Sequence, residues 1–253
     1  MFEKDNIIKF IYPRNSKKLF EDVFPIPTKL NIPDWYKNLK TKKESPTIKS
    51  CMPFLDAITA GYILKMPQDF YVKHNFINKK TKKRDSSFRF GFSKAEQDHL
   101  IHKGINMNAN KAEIHPQVQL GKECPFNKKN KDLSYYKILN PYIIETPPGY
   151  SCLFVSLLNN ADDRFEIISG IVDTDIYHNH INFPIVINGD KYPHLETTIQ
   201  RGTPYVQIIP FKREAWKMNI EEYKGDSLID SLTLLKFIWN NYKNTFWSRK
   251  KWH

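Results

Sequence analysis

Short apolar segments separated by turn residues dominate the second half of the chain. Four of them have the length and the β-branched and aromatic content of strands: Gly149–Leu158, Phe165–Val172, Asn182–Ile187 and Pro204–Phe211. The stretches between them, such as "NNADDR" and "NGDKYP", carry the Asn, Asp, Gly and Pro residues typical of turns. Strands this short and this closely spaced predict a mainly β fold, an antiparallel sandwich or barrel with a few peripheral helices.

The hydrophobic period changes near the C-terminus. Six large apolar residues follow one another at intervals of 4, 3, 4, 3 and 4: Leu228, Leu232, Leu235, Trp239, Tyr242 and Phe246. This spacing places them on one stripe of a helix. We predict an amphipathic helix over 226–248 that packs on the β core; a contact between copies of the chain is the alternative.

The first fifty residues are punctuated by proline, at positions 25, 27 and 33 among others. Proline favours extended chain over helix for itself and for the residue before it. We therefore predict one domain over 1–253, in which a Pro-rich extended arm (1–49) precedes a β core (50–215).

Charge is distributed unevenly along the chain. The net charge is +12, but residues 1–140 hold 27 Lys and Arg against 14 Asp and Glu, whereas residues 141–253 hold 12 against 13. The densest cluster is "KKTKKR", with Lys79, Lys80, Lys82, Lys83 and Arg84, in a loop between two predicted strands. Such a cluster suits phosphate groups, so these five residues are candidates for weak, non-specific binding of nucleic acid or another polyanion. A solvated loop is the alternative.

The strand after this loop, "FRFGF", adds a second nucleic-acid feature. It has Phe88, Phe90 and Phe92 on one face, as in RNA-recognition strands that stack bases on aromatic rings. A hairpin whose aromatic face packs into the core explains the same residues.

Three cysteines without a CxxC pair favour a reducing compartment and argue against a disulfide framework. The charged start "MFEKDNIIKF" is unlike a signal peptide, and no apolar run reaches the length of a membrane span. We therefore expect no membrane partner.

The stretch "GIVDTDIYHNHINFPIVING" contains two aspartates and two histidines in a short space. Asp173 and Asp175 are candidate catalytic acids, although aspartates at a strand end also accept backbone hydrogen bonds and fix turns. His178 and His180, two apart, would face the same way on a strand, as metal ligands do in cupin-type barrels. The Glu that should follow them is missing, so no metal site is favoured; a divalent metal ion is only the alternative cofactor.

Residues 147–210 resemble the β-clip of dUTPases and dCTP deaminases through "PPGYSCLFVS", "SGIVDTDIY" and "IQRGTPYVQIIP". This resemblance implies a β-clip or jelly-roll-like fold. It places Asp173 at the water-activating acid and Asp175 at the second acid, with Gln207 and Gly202 as nucleotide-binding residues. The Arg-Ser segment that holds phosphate in that family is replaced by "VSLLNNADD".

A broader resemblance covers most of the chain. The stretches "IPDWYKNLK", "GIVDTD" and "QIIPFKREAW" are similar to an uncharacterised family of marine tailed phages with distant bacterial relatives. This resemblance implies a viral protein, located in the host cytoplasm or the virion, and brings no activity with it. We expect an accessory or virion-associated protein that acts by binding, to a second copy or to another viral or host protein. A dUTPase-like enzyme and a cupin-type metal enzyme are the alternatives.

Overall fold

A computed structural model describes residues 6–90, 112–222 and 239–253. Within these ranges the protein is mainly β, with antiparallel sheets and few helices, as predicted. The chain divides into two compact units. The first unit comprises Met1–Ile26 and Tyr62–Lys212, and the second comprises Pro27–Gly61 and Arg213–His253. The expectation of one domain, with its arm and core boundaries, stays a prediction.

Fourteen strands are described. In chain order they are β1 (Lys9–Ile11), β2 (Ile26–Pro27), β3 (Tyr62–Lys65), β4 (Phe70–Ile77), β5 (Arg84–Phe90), β6 (Ala112–His115), β7 (Tyr135–Ile138), β8 (Ile143–Glu145), β9 (Tyr150–Val155), β10 (Phe165–Ile167), β11 (Gly170–Val172), β12 (Phe183–Ile187), β13 (Leu195–Ile199) and β14 (Pro204–Lys212). All four segments predicted from the second half are strands, and the segment Phe165–Val172 is divided into β10 and β11.

The strands form four sheets. The largest has the order β11-β9-β14-β3-β2, the next β10-β12-β7-β6, and the third β13-β4-β5, while β1 pairs with β8. Strand β9 lies between β11 and β14 and pairs antiparallel with both. The sequence predicted either a sandwich or a barrel. The described strands do not close into a barrel, and their arrangement is sandwich-like.

One hydrophobic core in the first unit is shared by all four sheets. Each sheet contributes fully buried side chains, for example Ile144 from β8, Phe70 from β4, Phe154 from β9 and Ile185 from β12. Burial of such residues is the main favourable contribution to folding. The sheets are therefore held together by shared apolar contacts as well as by backbone pairing.

Helices are short. They are α1 (Lys17–Phe20), α2 (Asp34–Asn38), α3 (Met52–Thr59) and α4 (Pro125–Lys129), with 3-10 turns at Glu21–Val23, Thr28–Asn31, Ile48–Ser50 and Gln117–Leu120. In the second unit, Tyr36 of α2 is buried and stacks on Phe54 of α3 with a ring-centroid distance of 5.6 Å. The Nε1 of Trp247 donates to the carboxylate of Asp56 (3.0 Å), which ties the C-terminal segment to α3.

Most of the predicted C-terminal helix lies outside the described residues, because the description ends at 222 and resumes at 239. A five-residue π-helical turn covers Tyr242–Phe246. Tyr242 and Phe246, which the hydrophobic stripe predicts to be packed, are 48% and 60% exposed.

Gly189 lies against the backbone of the α4 segment, and its N–H donates to the carbonyl of Lys129 (3.0 Å). A Cβ at this position would be 2.7 Å from that carbonyl oxygen. We expect Gly189→Ala to lower the free energy of unfolding by about 2 kcal/mol, because one of the two backbones must move. Urea denaturation measures the loss. Gly170→Ala is the control, since its Cβ would meet nothing within 4 Å; an equal effect of both changes would contradict the prediction.

Candidate functional site

The tip of the β4–β5 hairpin is an ordered turn. The N–H of Asn78 donates to the carbonyl of Lys83 (2.9 Å), and the N–H of Lys82 donates to the carbonyl of Asn78 (2.8 Å). The Asn78 side chain also accepts from the N–H of Lys80 (3.0 Å) and donates to the carboxylate of Asp85 (2.7 Å). Bonds of this kind fix the backbone of short turns. The predicted hairpin is confirmed, and its strands pair antiparallel.

Four lysines of this turn and the first residue of β5 form a cluster that we call the basic tip, and all five side chains are exposed: Lys79, Lys80, Lys82, Lys83 and Arg84. No ion pair within the described ranges involves any of them. Other lysines of the first unit form ion pairs. The Nζ of Lys73 lies 2.9 Å from a carboxylate oxygen of Glu196, and the Nζ of Lys191 lies 2.7 Å from one of Asp163. The basic tip therefore presents a concentrated positive charge that the described residues around it do not neutralise.

The aromatic strand behind the basic tip does not serve as a stacking platform at Phe88. This ring is 7% exposed and packs on Tyr136 with centroids 4.4 Å apart. Of the two interpretations of Phe88, base stacking and packing into the core, the structure supports packing into the core of the first unit. The side chain of Phe90 and the whole of Phe92 lie outside the described residues.

The acidic corner lies directly after β11. The carbonyl of Asp173 accepts hydrogen bonds from the N–H groups of Ile176 (3.1 Å) and Tyr177 (2.9 Å), which closes a turn. Between the two aspartates, Thr174 is completely buried, and its hydroxyl lies 2.7 Å from that of Thr146. The corner is thus anchored to the segment that precedes β9.

The two carboxylates of the corner contact the start of β9 and the residue just before it. One oxygen of Asp173 accepts a bond from the hydroxyl of Ser151 (2.6 Å), and one of Asp175 accepts a bond from the N–H of Gly149 (2.7 Å). Asp173 is exposed and Asp175 is half-buried. The expectation that an aspartate here accepts a backbone N–H bond is confirmed for Asp175, whereas a catalytic role for either residue stays a prediction.

The two histidines of the opening stretch do not lie on a strand. His178 is in a loop, with its Nδ1 3.4 Å from a carboxylate oxygen of Glu145. His180 forms an isolated bridge with Ile143, and its Nδ1 lies 2.9 Å from the carbonyl of Asn140. The strand geometry required for a cupin-type ligand pair is therefore not found. In the part of the chain that the structure describes, no group of three or more His, Cys, Asp or Glu residues is placed to hold a metal ion.

Gln207 is buried within β14, and its Oε1 accepts a hydrogen bond from the N–H of Leu158 (3.0 Å). It pairs with Val155 on β9, whereas Ser151, the partner of Asp173, pairs with Phe211. Four residues along a strand span about 13 Å. The structure therefore does not bring Gln207 and Asp173 together within one chain.

Gly202 lies in the turn before β14. Its φ is +83°, a conformation that favours glycine, and its N–H donates to the carbonyl of Met66 (2.9 Å). The glycine turn predicted at Gly202 is therefore present, and the N–H of Gly202 is already used in a hydrogen bond to the backbone.

A cleft with a volume of about 170 Å³ lies beside β10 and was not predicted from the sequence. Three acids line it, and each has a cationic partner: Asp162 with Arg164 (2.8 Å), Asp163 with Lys191 (2.7 Å) and Glu166 with Lys129 (2.5 Å). A hydrogen bond from Arg164 lowers the pKa of Asp162, and one from Lys191 lowers the pKa of Asp163. Asp162 and Asp163 are therefore carboxylates stabilised in their charged form, which is the opposite of an acid with a raised pKa.

No protein-family model matches the chain, and no curated protein matches it. Among the described helices, none combines the length and the apolar character that crossing a bilayer requires.

Proposed function

We propose that this chain is an accessory or virion-associated protein of a tailed phage, present in the host cytoplasm or the virion, and that it acts by binding. The basic tip is its contact for polyanions, with nucleic acid as the partner. The observation that carries the binding proposal is the cluster of five exposed cations on an ordered turn, none of them in an ion pair with a described residue. The viral source rests on the sequence resemblance alone.

An ordered turn favours this role over that of a solvated loop. Lysine side chains lose rotamer freedom when they bind, but the backbone of the basic tip is already fixed by hydrogen bonds to Asn78. Each phosphate that a lysine neutralises releases counterions and strengthens binding at low salt. The expected affinity is that of non-specific binding, with a dissociation constant no tighter than about 1 μM at physiological salt.

The contacts of the predicted catalytic residues favour binding over hydrolysis. Asp173, Asp175 and Gln207 accept hydrogen bonds from the segments that surround them, which is what residues that shape turns and strands do. Gln207 and Asp173 are also too far apart on the sheet to share one small ligand within the chain.

The experiment compares two variants of equal net charge. In the first, Lys79, Lys80, Lys82 and Lys83 become Ser; in the control, the exposed lysines Lys17, Lys18, Lys42 and Lys43 become Ser. A mobility shift with a long DNA duplex is measured at about 50 and about 200 mM salt. We expect the tip variant to bind about 10-fold or more weakly at the lower salt and the control to bind nearly as the wild type does. Salt dependence should be steep for the wild type and shallower for the tip variant, because fewer counterions are released.

Three outcomes would overturn the proposal. One is no shift of the wild type at low salt, and another is an equal loss in both variants. The third is hydrolysis of a nucleoside triphosphate with Mg²⁺ that Asp173→Asn abolishes, which would establish the β-clip enzyme instead. Metal analysis of the purified protein tests the cupin alternative, which requires a stoichiometric metal that is lost when His178 and His180 become Ala.

A further inference from the structure

A cavity with a volume of about 600 Å³ lies within the second unit. Its lining comes from two stretches of the chain. One is the region of α2 and α3, and the other is the C-terminal stretch that contains the π-helical turn. A volume of this size is within the range of sites that hold small molecules. We call it the second-unit cavity.

Much of the lining is apolar or aromatic. Tyr36 and Met52 are buried, and Leu55 and Trp247 are half-buried. Walls of this kind remove the apolar body of a ligand from water, and aromatic rings pack favourably on other rings. The lining therefore suits a ligand that contains a ring.

Three lysines belong to the same lining, and none of its described residues is an acid: Lys37, Lys49 and Lys243. The Nζ of Lys37 lies 2.9 Å from a carboxylate oxygen of Asp34, whereas Lys49 and Lys243 form no ion pair with any described residue. The Nζ of Lys49 lies 5.8 Å from the centre of the Tyr36 ring and donates to the carbonyl of Lys37. Two positive charges at the cavity are therefore not neutralised by the described residues around them.

The acid closest in sequence to the apolar lining is already in use. Asp56 accepts a hydrogen bond from the indole N–H of Trp247 and pairs with Lys250 (2.8 Å). In the stretches that supply the lining, residues 27–61 hold six lysines against three acids, and residues 239–253 hold four Lys and Arg and no acid. This excess of positive charge favours an anionic ligand over a neutral one.

The hydroxyl of Tyr36 is an independent indication of a ligand. Tyr36 is 4% exposed, and its hydroxyl has no hydrogen-bond partner among the described residues. Burial raises the pKa of this phenol, so the group keeps its proton and remains a donor. A buried donor without an acceptor is unfavourable, and an oxygen of a bound acid would supply the acceptor.

We propose that the second-unit cavity binds a small aromatic carboxylate. The ring packs on the apolar lining, and the carboxylate is held by the two unpaired lysines and the Tyr36 hydroxyl. A carboxylate accepts hydrogen bonds at both oxygens, which suits a hydroxyl donor beside ammonium groups. The cavity shares no residue with the basic tip, so this proposal does not depend on the binding of polyanions.

The probes are 1-naphthoate and 1-naphthylmethanol, which share a ring system and differ in charge. Binding to the full chain is followed by NMR through the indole N–H of Trp247, whose signal is assigned by its absence from Trp247→Phe. We expect naphthoate to shift this signal with a Kd of about 0.1 mM. The signal of Trp216, which is 88% exposed and does not line the cavity, should stay in place. The alcohol should bind about 10-fold more weakly, because it lacks the charge.

Three variants assign the contacts. Changing Lys49 and Lys243 together to Gln should weaken naphthoate binding about 10-fold and leave the affinity for the alcohol unchanged, which shows that the cavity is intact. Tyr36→Phe should weaken naphthoate binding about 5-fold without destabilising the free protein, since the hydroxyl it removes has no partner there. The control changes Lys42 and Lys251, exposed lysines outside the lining, to Gln and should bind naphthoate as the wild type does.

Four results would overturn the proposal. Naphthoate might leave the Trp247 signal unchanged, or the acid and the alcohol might bind equally well. The two lysine pairs might also give equal losses, which would make the effect one of overall charge. Finally, a loss of alcohol binding together with naphthoate binding in the Lys49 and Lys243 variant would show that these lysines shape the wall and do not hold an acid.

Discussion

Lowering the pH from about 7.5 to about 4 should reduce the free energy of unfolding by about 3 kcal/mol through His74 alone. This histidine on β4 is 1% exposed, and burial lowers its pKa to about 4, with smaller contributions from Lys131, His194 and Arg84. The unfolded chain takes up a proton below its ordinary pKa of 6.5, whereas the folded protein does so only near 4. The contribution of His74 to the free energy of unfolding is therefore fully present above pH 6.5 and is lost as the pH falls toward 4.

Urea denaturation at a series of pH values measures this effect. In His74→Gln, which can retain a hydrogen bond to Ser86 but cannot ionise, the fall in stability between pH 6.5 and 4 should be smaller by about 3 kcal/mol. His178→Gln makes the same substitution at an exposed histidine and should leave the free energy of unfolding at pH 7.5 close to that of the wild type. Parallel profiles for the wild type and His74→Gln would show that His74 takes up its proton as easily when folded as when unfolded.

Replacing Arg201 by Met should cost about 3 kcal/mol of unfolding free energy. Its guanidinium donates two hydrogen bonds to the carboxylate of Asp22 (2.8 and 2.6 Å) and others to the carbonyls of Leu19 and Pro67. This network connects the N-terminal segment to the turn before β14. A methionine fills similar space but leaves the two carbonyls and the carboxylate without their donor.

Arg89→Met is the matched control, because Arg89 is an exposed arginine on β5. The difference in unfolding free energy between the two variants, measured in urea at pH 7, should be close to the full effect of Arg201. The pKa of Asp22, which the hydrogen bond from Arg201 lowers, should rise toward its ordinary value in Arg201→Met and can be followed by NMR. If Arg201→Met is no less stable than Arg89→Met, the network does not stabilise the fold.

Local patterns were sufficient to predict the strands of the second half and the β4–β5 hairpin. Each depends on residues that are close in sequence, such as the apolar run of β9 or the turn that Asn78 organises. Sheet order could not be predicted in this way. Strand β1 pairs with β8, more than a hundred residues away, and no feature of "KFI" specifies that partner.

The candidate sites show the same division between local and distant information. The turn at Asp173 forms between neighbouring residues, so a local pattern can predict it. The contact of Asp175 with Gly149 requires two segments to meet. The resemblance to the β-clip family assigns a role to Gln207 but does not give its distance from Asp173. The pattern of Phe88 fits a stacking face and a core face equally well, and only packing against Tyr136 decides between them.

The cysteines make the protein ready for spectroscopic labelling without an engineered thiol. Cys152 is fully buried in β9, and burial raises its pKa to about 11, so its thiolate is scarce at neutral pH. Cys51 and Cys124 are each partly accessible, and they belong to the second and the first unit respectively. A donor and an acceptor dye attached to these two native positions would turn the chain into a ruler for the distance between its units, readable in solution one molecule at a time.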